Sequence, residues 1–105
     1  MGENNFNSDI WLSKGLTAYN LRNYEEAIEY FKKAAGGLPE SKVINANAAQ
    51  ALMMHIQKNG TNEQHIYQAS QYLERVKKID PSFDKYQKLL NMYEKITAPE
   101  KNPVT

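Results

Sequence analysis

One pattern of side chains occurs twice in this chain, 42 residues apart. Each copy runs from a small residue through a large one and a small or medium one to a proline, at the same spacing: Ala27, Phe31, Ala34 and Pro39, then Ala69, Leu73, Val76 and Pro81. Offsets of four and three place the first three residues on one face of a helix. The proline then ends the helix, because it has no N–H to donate and disfavours helical geometry in the preceding residue. The duplication predicts a helical repeat protein.

The remaining pattern predicts five helices, over about 8–21, 24–35, 40–58, 63–79 and 82–96. Ser8 is a plausible N-cap for the first, because its hydroxyl can accept a free N–H of the first turn. We expect Gly36 and Gly37 to end the second helix. The run from Asn59 to Asn62 is a strong turn signal between the third and fourth. No stretch alternates long enough for a strand, so the fold class is all-α.

The composition narrows the possible partners. The 105 residues are enough for one domain, with 13 basic and 12 acidic residues and a net charge of +1. This balance argues against a surface for nucleic acid or an anionic membrane, which needs a basic excess on one face. The chain has no cysteine and no apolar run near the roughly 20 residues that cross a bilayer. We therefore expect a soluble, cytoplasmic protein that binds neither nucleic acid nor membrane.

The first helix pair resembles a tetratricopeptide repeat, whose pattern is W-x2-L-G-x2-Y, then A-x3-F, then P. The matching residues are Trp11, Gly15, Ala27, Phe31 and Pro39. Two positions depart from the pattern: lysine occupies position 14, where leucine is expected, and a tyrosine falls at 19 instead of 18. Gly15 and Ala27 are small where two antiparallel helices must approach closely, so the packing requirement of the motif is still met.

The second pair matches less fully. Ala49 occupies the close-contact place of Gly15, but the second unit is eight residues longer. The resemblance implies a right-handed α-α superhelix of two hairpins and a C-terminal capping helix. Its predicted parts are repeat one at about 8–41, repeat two at about 42–81 and the capping helix at about 82–96, between disordered tails at 1–7 and 97–105. We expect the capping helix to expose Lys85, Lys88 and Lys95.

A narrower similarity concerns residues 47–52 and 72–76, which are similar to helical output regions attached to bacterial receiver domains. This similarity implies an alternative role, in which the chain is an excised part of a response regulator that acts through self-association. A homodimer is therefore a second hypothesis. Two and a half units are also fewer than the three that an isolated array usually needs. Either the capping helix is sufficient, or another domain or another copy covers the edge near Ile10, Trp11 and Tyr24.

The repeat resemblance further implies a concave wall lined by the first helix of each pair. The residues expected on this wall are Leu12, Leu16, Tyr19, Asn20, Val43, Ala46, Asn47, Gln50, Met53, Met54, Lys88, Met92 and Lys95. Methionine is flexible and polarizable, so such a groove could accept an extended peptide or an amphipathic helix of a partner protein. The alternative for any one of these residues is ordinary core packing, and Met53 or Met54 could lie under the third helix.

No pattern in the chain indicates catalysis, a cofactor or a metal. His55 and His65 are ten residues apart with no metal-binding motif, and we expect both to be surface residues. Glu25 and Glu26 are adjacent, hence about 100° apart around a helix, and cannot converge as an acid–base pair. Gly36-Gly37 follows a helix instead of preceding one, so it is no phosphate loop. The sequence thus predicts a non-enzymatic protein.

Overall fold

The computed structural model describes residues 3–98, with the side chains described from residue 7. This part of the chain folds into five helices: α1 (Glu3–Asn20), α2 (Tyr24–Gly37), α3 (Lys42–Asn59), α4 (Glu63–Ile79) and α5 (Asp84–Thr97). No strand occurs within residues 3–98. The predicted all-α class is therefore confirmed.

Short loops join helices that are neighbours in space. Helix α1 packs on α2, α2 packs on α3, and α3 packs on α4. Loops of three or four residues force each pair into a hairpin, because so few residues cannot reach a distant site. Helix α5 lies against both α3 and α4, which is the position expected of a helix that caps the second pair.

The duplicated motif forms the core of both hairpins. Its three helical positions are buried in each copy: Ala27, Phe31 and Ala34 in α2, and Ala69, Leu73 and Val76 in α4. Both helices end two residues before their proline, α2 at Gly37 and α4 at Ile79. The repeated spacing therefore encodes the same buried face and the same helix end twice.

Two predicted helix ends were wrong in the first hairpin. Helix α1 begins at Glu3 and not near Ser8, so Ser8 is a buried residue inside the helix and caps nothing. The proposed tail over 1–7 thus overlaps α1 from Glu3 onwards, and residues 1–2 lie outside the described part. Helix α2 continues through both glycines, and its last N–H bond runs from Leu38 to Ala34. Leu38 leaves helical geometry because a proline follows it.

The ends of α3 and α4 follow simple capping chemistry. The Ser41 hydroxyl accepts from the Ile44 N–H at 3.1 Å, and the Asn62 side chain accepts from the His65 N–H at 3.0 Å. Gly60 closes α3 with a φ of +100°, a backbone geometry that favours glycine. The predicted turn after α3 and the predicted span of α4 are confirmed.

The last helix starts later than predicted. Ser82 donates from its N–H and its hydroxyl to the Asp80 carboxylate, so it belongs to the turn and α5 begins at Asp84. At its other end α5 includes Thr97, the first residue of the predicted C-terminal tail. Residues 99–105 of that tail lie outside the described part.

Candidate partner-binding surface

One face of helix α1 carries both apolar and polar side chains. It contains the four α1 residues that were predicted to line the wall. Leu16 is 40% exposed, so part of its apolar side chain is open to water. Leu12 is half-buried and reaches both core clusters, and Tyr19 is half-buried against the main one. Asn20 is exposed at the end of the helix. Of these four residues, Leu16 offers the most open apolar surface.

Helix α3 presents less surface than the sequence suggested. Met53 is 0% exposed, so it belongs to the core and its prediction as a groove residue was wrong. Ala46 is also fully buried. Gln50 and Met54 are half-buried, whereas Val43 is 47% exposed at the start of the helix. Met53 is covered because α3 is central and packs against three other helices, α2, α4 and α5.

Asn47 is a buried polar residue among the α3 residues that were predicted to line the wall. It is only 8% exposed, and its side-chain oxygen accepts from the Lys85 ammonium of α5 at 3.2 Å. This bond ties α5 to α3 directly. By contrast, α1 and α3 are not among the closely packed helix pairs.

Helix α5 contributes three of the predicted wall residues, and they differ in exposure. Lys88 is exposed, whereas Met92 is half-buried and packs against the main core cluster. Lys95 is exposed, as expected. Lys85 was expected on the same outer side but is half-buried against α3. The burial of Lys85 could have been predicted from its position four residues before the buried Leu89, because residues four apart share a helix face.

Lys85 carries a positive charge that is partly removed from water. Burial lowers the pKa of its ammonium group, because water that would solvate the charge is removed. Its hydrogen bond goes to a neutral amide oxygen, and among the described residues the ion pair found within 4.0 Å joins Lys42 and Asp80 instead. The charged form of Lys85 is therefore disfavoured in the folded chain.

Replacing Lys85 by methionine is expected to raise the melting temperature at neutral pH. The charged form of Lys85 is disfavoured in the folded state of the parent chain. The resulting cost in folding free energy is present in full below the folded-state pKa. That cost disappears as the pH rises from there towards 10.5, the ordinary value. The stability gap between Lys85→Met and the parent chain should therefore narrow in alkaline buffer. Thermal melts followed by circular dichroism between pH 7 and about pH 10.5 measure it. A lower melting temperature for the variant at pH 7 contradicts the assignment.

Two further properties of the described helices bear on function. Within residues 3–98, no helix has the length and apolar character needed to cross a membrane. In the same part of the chain, no three side chains of histidine, cysteine, aspartate or glutamate are grouped in a way that could hold a metal ion. His55 and His65 are half-buried with their ring centroids 5.0 Å apart, so the expectation of two surface residues was wrong.

Helical hairpins that pack side by side define a helical-repeat protein. Residues 8–35 match the family model of the tetratricopeptide repeat. This segment, which covers most of α1 and α2, is a tetratricopeptide repeat, and the family predicted from the sequence is confirmed there. No curated protein and no solved structure matches the chain. Repeats of this family generally mediate protein–protein interaction.

Proposed function

We propose that this chain is a non-enzymatic module that binds a segment of a partner protein along the wall formed by α1, α3 and α5. The segment is an extended peptide or an amphipathic helix with apolar side chains at its centre. The observation that carries the proposal is the exposure of Leu16, at 40%, on the same helix face as Leu12 and Tyr19. Apolar surface left open to water gains free energy when a partner covers it.

The other residues of the wall suit such a ligand. Val43 adds apolar surface at 47% exposure, and Met54 can change its shape to fit a bound side chain. Gln50 supplies an amide that can bond to a peptide backbone. Asn20 and Lys88 form a polar rim, as in interfaces with an apolar centre.

Leu16→Glu is the sharpest test of this surface, because a charge at the centre of an apolar contact must be desolvated. A peptide selected from a display library on the immobilised chain serves as the probe. We expect Leu16→Glu to weaken its binding by at least about tenfold, which corresponds to about 1.4 kcal/mol. Helicity by circular dichroism should be unchanged, because Leu16 is already partly in water.

Tyr67→Glu is the matched control for that experiment. Tyr67 is an apolar residue of α4 with 63% exposure, and α4 does not contribute to the proposed wall. The control should bind the selected peptide as the parent chain does. Equal binding by the parent and Leu16→Glu, or equal loss in both variants, rejects the wall as the binding surface.

Self-association, as in an output domain of a larger signalling protein, is the second candidate. It is favoured by two exposed apolar residues at the first hairpin, Ile10 at 39% and Leu21 at 67%. A second copy covering them would remove apolar area from water. Light scattering distinguishes the two functions, because a monomer at high concentration that still binds the selected peptide fits only the first.

A further inference from the structure

Helix α1 carries a second exposed stripe, which lies on a different side from the proposed binding wall. The stripe consists of residues spaced four, three and four apart: Ile10, Lys14, Thr17 and Leu21. All of them are exposed, Ile10 at 39% and Leu21 at 67%. Leu21 follows the last residue of α1, but its N–H still bonds to the Thr17 carbonyl at 3.1 Å, so it continues the helical line. Leu16, six residues after Ile10, lies about 120° away around the helix.

The chemistry of this stripe is the same when it is followed from either end. Its two ends are apolar, and its two central residues, Lys14 and Thr17, are polar. Ile10 lies four residues before Lys14, and Leu21 lies four residues after Thr17. Two copies of α1 packed antiparallel about the midpoint of the stripe therefore place Ile10 of each copy on Leu21 of the partner subunit. A surface that matches itself in this way suits a two-fold symmetric dimer.

Helix α2 places a second stripe beside the first. Glu26, Tyr30 and Lys33 are spaced four and three apart, and Glu26 and Lys33 are exposed. Glu26 and Tyr30 border an open groove of about 290 Å³, whose other side is formed by the α1 stripe. Trp11 stacks on Tyr30 with ring centroids 5.7 Å apart, and the Lys33 ammonium lies 4.5 Å from the centre of the Trp11 ring. The α1 stripe and the α2 stripe thus form one surface, which we call the outer face.

The centres of the two stripes lie at the same height along the first hairpin. A Cβ atom on Gly15, which lies between Lys14 and Thr17, would meet Cε1 of Phe31 at 2.5 Å. Phe31 is the residue after Tyr30, so Tyr30 lies beside the midpoint of the α1 stripe. The two-fold axis that pairs α1 with α1 therefore also pairs α2 with α2, and Tyr30 lies near this axis.

The charges of α2 match in this arrangement. Glu26 lies four residues before Tyr30 and Lys33 lies three after it, so Glu26 of each copy faces Lys33 of the partner subunit. A parallel pairing would instead bring equal charges together, which is unfavourable. The ion pair found within 4.0 Å among the described side chains joins Lys42 and Asp80. Neither Glu26 nor Lys33 is therefore ion-paired within this part of the chain.

We propose that two copies of this chain form an antiparallel, two-fold symmetric dimer through the outer face, with α1 on α1 and α2 on α2. Both apolar ends of each α1 stripe are then covered, which removes their area from water. The proposal rests on self-association, the second candidate function, and gives it a defined surface. Leu16 lies on another side of α1, so the dimer leaves the binding wall open to a peptide.

Sedimentation equilibrium of the full chain at concentrations up to about 1 mM tests the proposal. The parent chain should show a monomer–dimer equilibrium. Leu21→Glu should weaken dimerisation at least about tenfold, because each dimer then buries two carboxylates against apolar side chains. Leu16→Glu makes the same change on the binding wall and should dimerise as the parent does. Leu21→Glu should still bind the selected peptide, so a failure of the outer face and a failure of the wall give different results.

A charge exchange between two variants gives a gain of association that a damaged fold cannot imitate. Glu26→Lys and Lys33→Glu should each dimerise several-fold more weakly, because like charges then face each other on both sides of the axis. An equimolar mixture of the two should recover the association of the parent, since the lysines of one variant face the glutamates of the other. The proposal is overturned if the parent is monomeric throughout this range, if Leu21→Glu and Leu16→Glu dimerise equally, or if the mixture associates no more strongly than the separate variants.

Discussion

Met53→Glu is expected to destabilise the folded chain strongly at neutral pH. Met53 is 0% exposed and is among the largest fully buried side chains. The substitution removes buried apolar contacts and leaves a carboxylate with no provided partner, so the loss should exceed about 3 kcal/mol. A domain of this kind has about 5–15 kcal/mol in total. Urea unfolding followed by circular dichroism gives the free energy of unfolding directly.

The stability of the Met53→Glu variant is expected to fall as the pH rises. Burial raises the pKa of a carboxyl group, because the neutral form is the cheaper one to remove from water. The variant should therefore be least damaged below about pH 4.3, the ordinary value for glutamate, and should lose stability as the pH rises through the raised folded-state value.

Met54→Glu is the matched control, since Met54 is the next residue and is only half-buried. It should cost about 1 kcal/mol or less, because its charge can reach water. If the two variants unfold at the same urea concentration, Met53 is not in the core and its original assignment to the groove returns.

Gly15→Ala is expected to destabilise the first hairpin, even though alanine favours a helix over glycine by about 1 kcal/mol. A Cβ atom at Gly15 would lie 2.5 Å from Cε1 and 2.6 Å from Cδ1 of Phe31. Phe31 is 1% exposed, so its ring has no free space to enter. Overpacking of this kind costs about 1–3 kcal/mol, and Gly15→Leu should cost more. Each kcal/mol lowers the melting temperature by about 4–8 °C.

Gly36→Ala is the control for the same chemical change. Gly36 is also helical, but a Cβ there meets no other atom within 4 Å. Its melting temperature should stay the same or rise. In a Phe31→Leu background, the penalty of Gly15→Ala should shrink, because the smaller side chain gives way to the new methyl group. A penalty unchanged by Phe31→Leu shows that the ring is not the obstacle.

The local pattern of the chain was enough to predict its elements and their repetition. The positions of the helices can be predicted from apolar residues spaced three and four apart and from prolines. Both signals lie within one or two helical turns. The motif shared by Ala27 and Ala69 therefore placed two buried faces correctly. The tetratricopeptide repeat at residues 8–35 was predicted from Ala27 together with Trp11 and Gly15.

The exposed and buried sides of α3 could not be predicted in this way. Ten of its residues are buried, because three other helices surround it. A helix that is apolar on nearly all sides has no contrast between faces, so its sequence alone does not show which methionine points outward. Met53 and Met54 are equivalent in chemistry, and only the packing of neighbouring helices separates them.

The sequence by itself thus determined five helices, their duplicated core motif and the tetratricopeptide repeat at residues 8–35, since these rest on contacts between residues close along the chain. The tertiary structure alone decided which side chains from different helices meet. Lys85 reaches Asn47 and His55 faces His65 because of how whole helices dock. Docking depends on the sum of many small packing contacts, and no short stretch of sequence contains that sum.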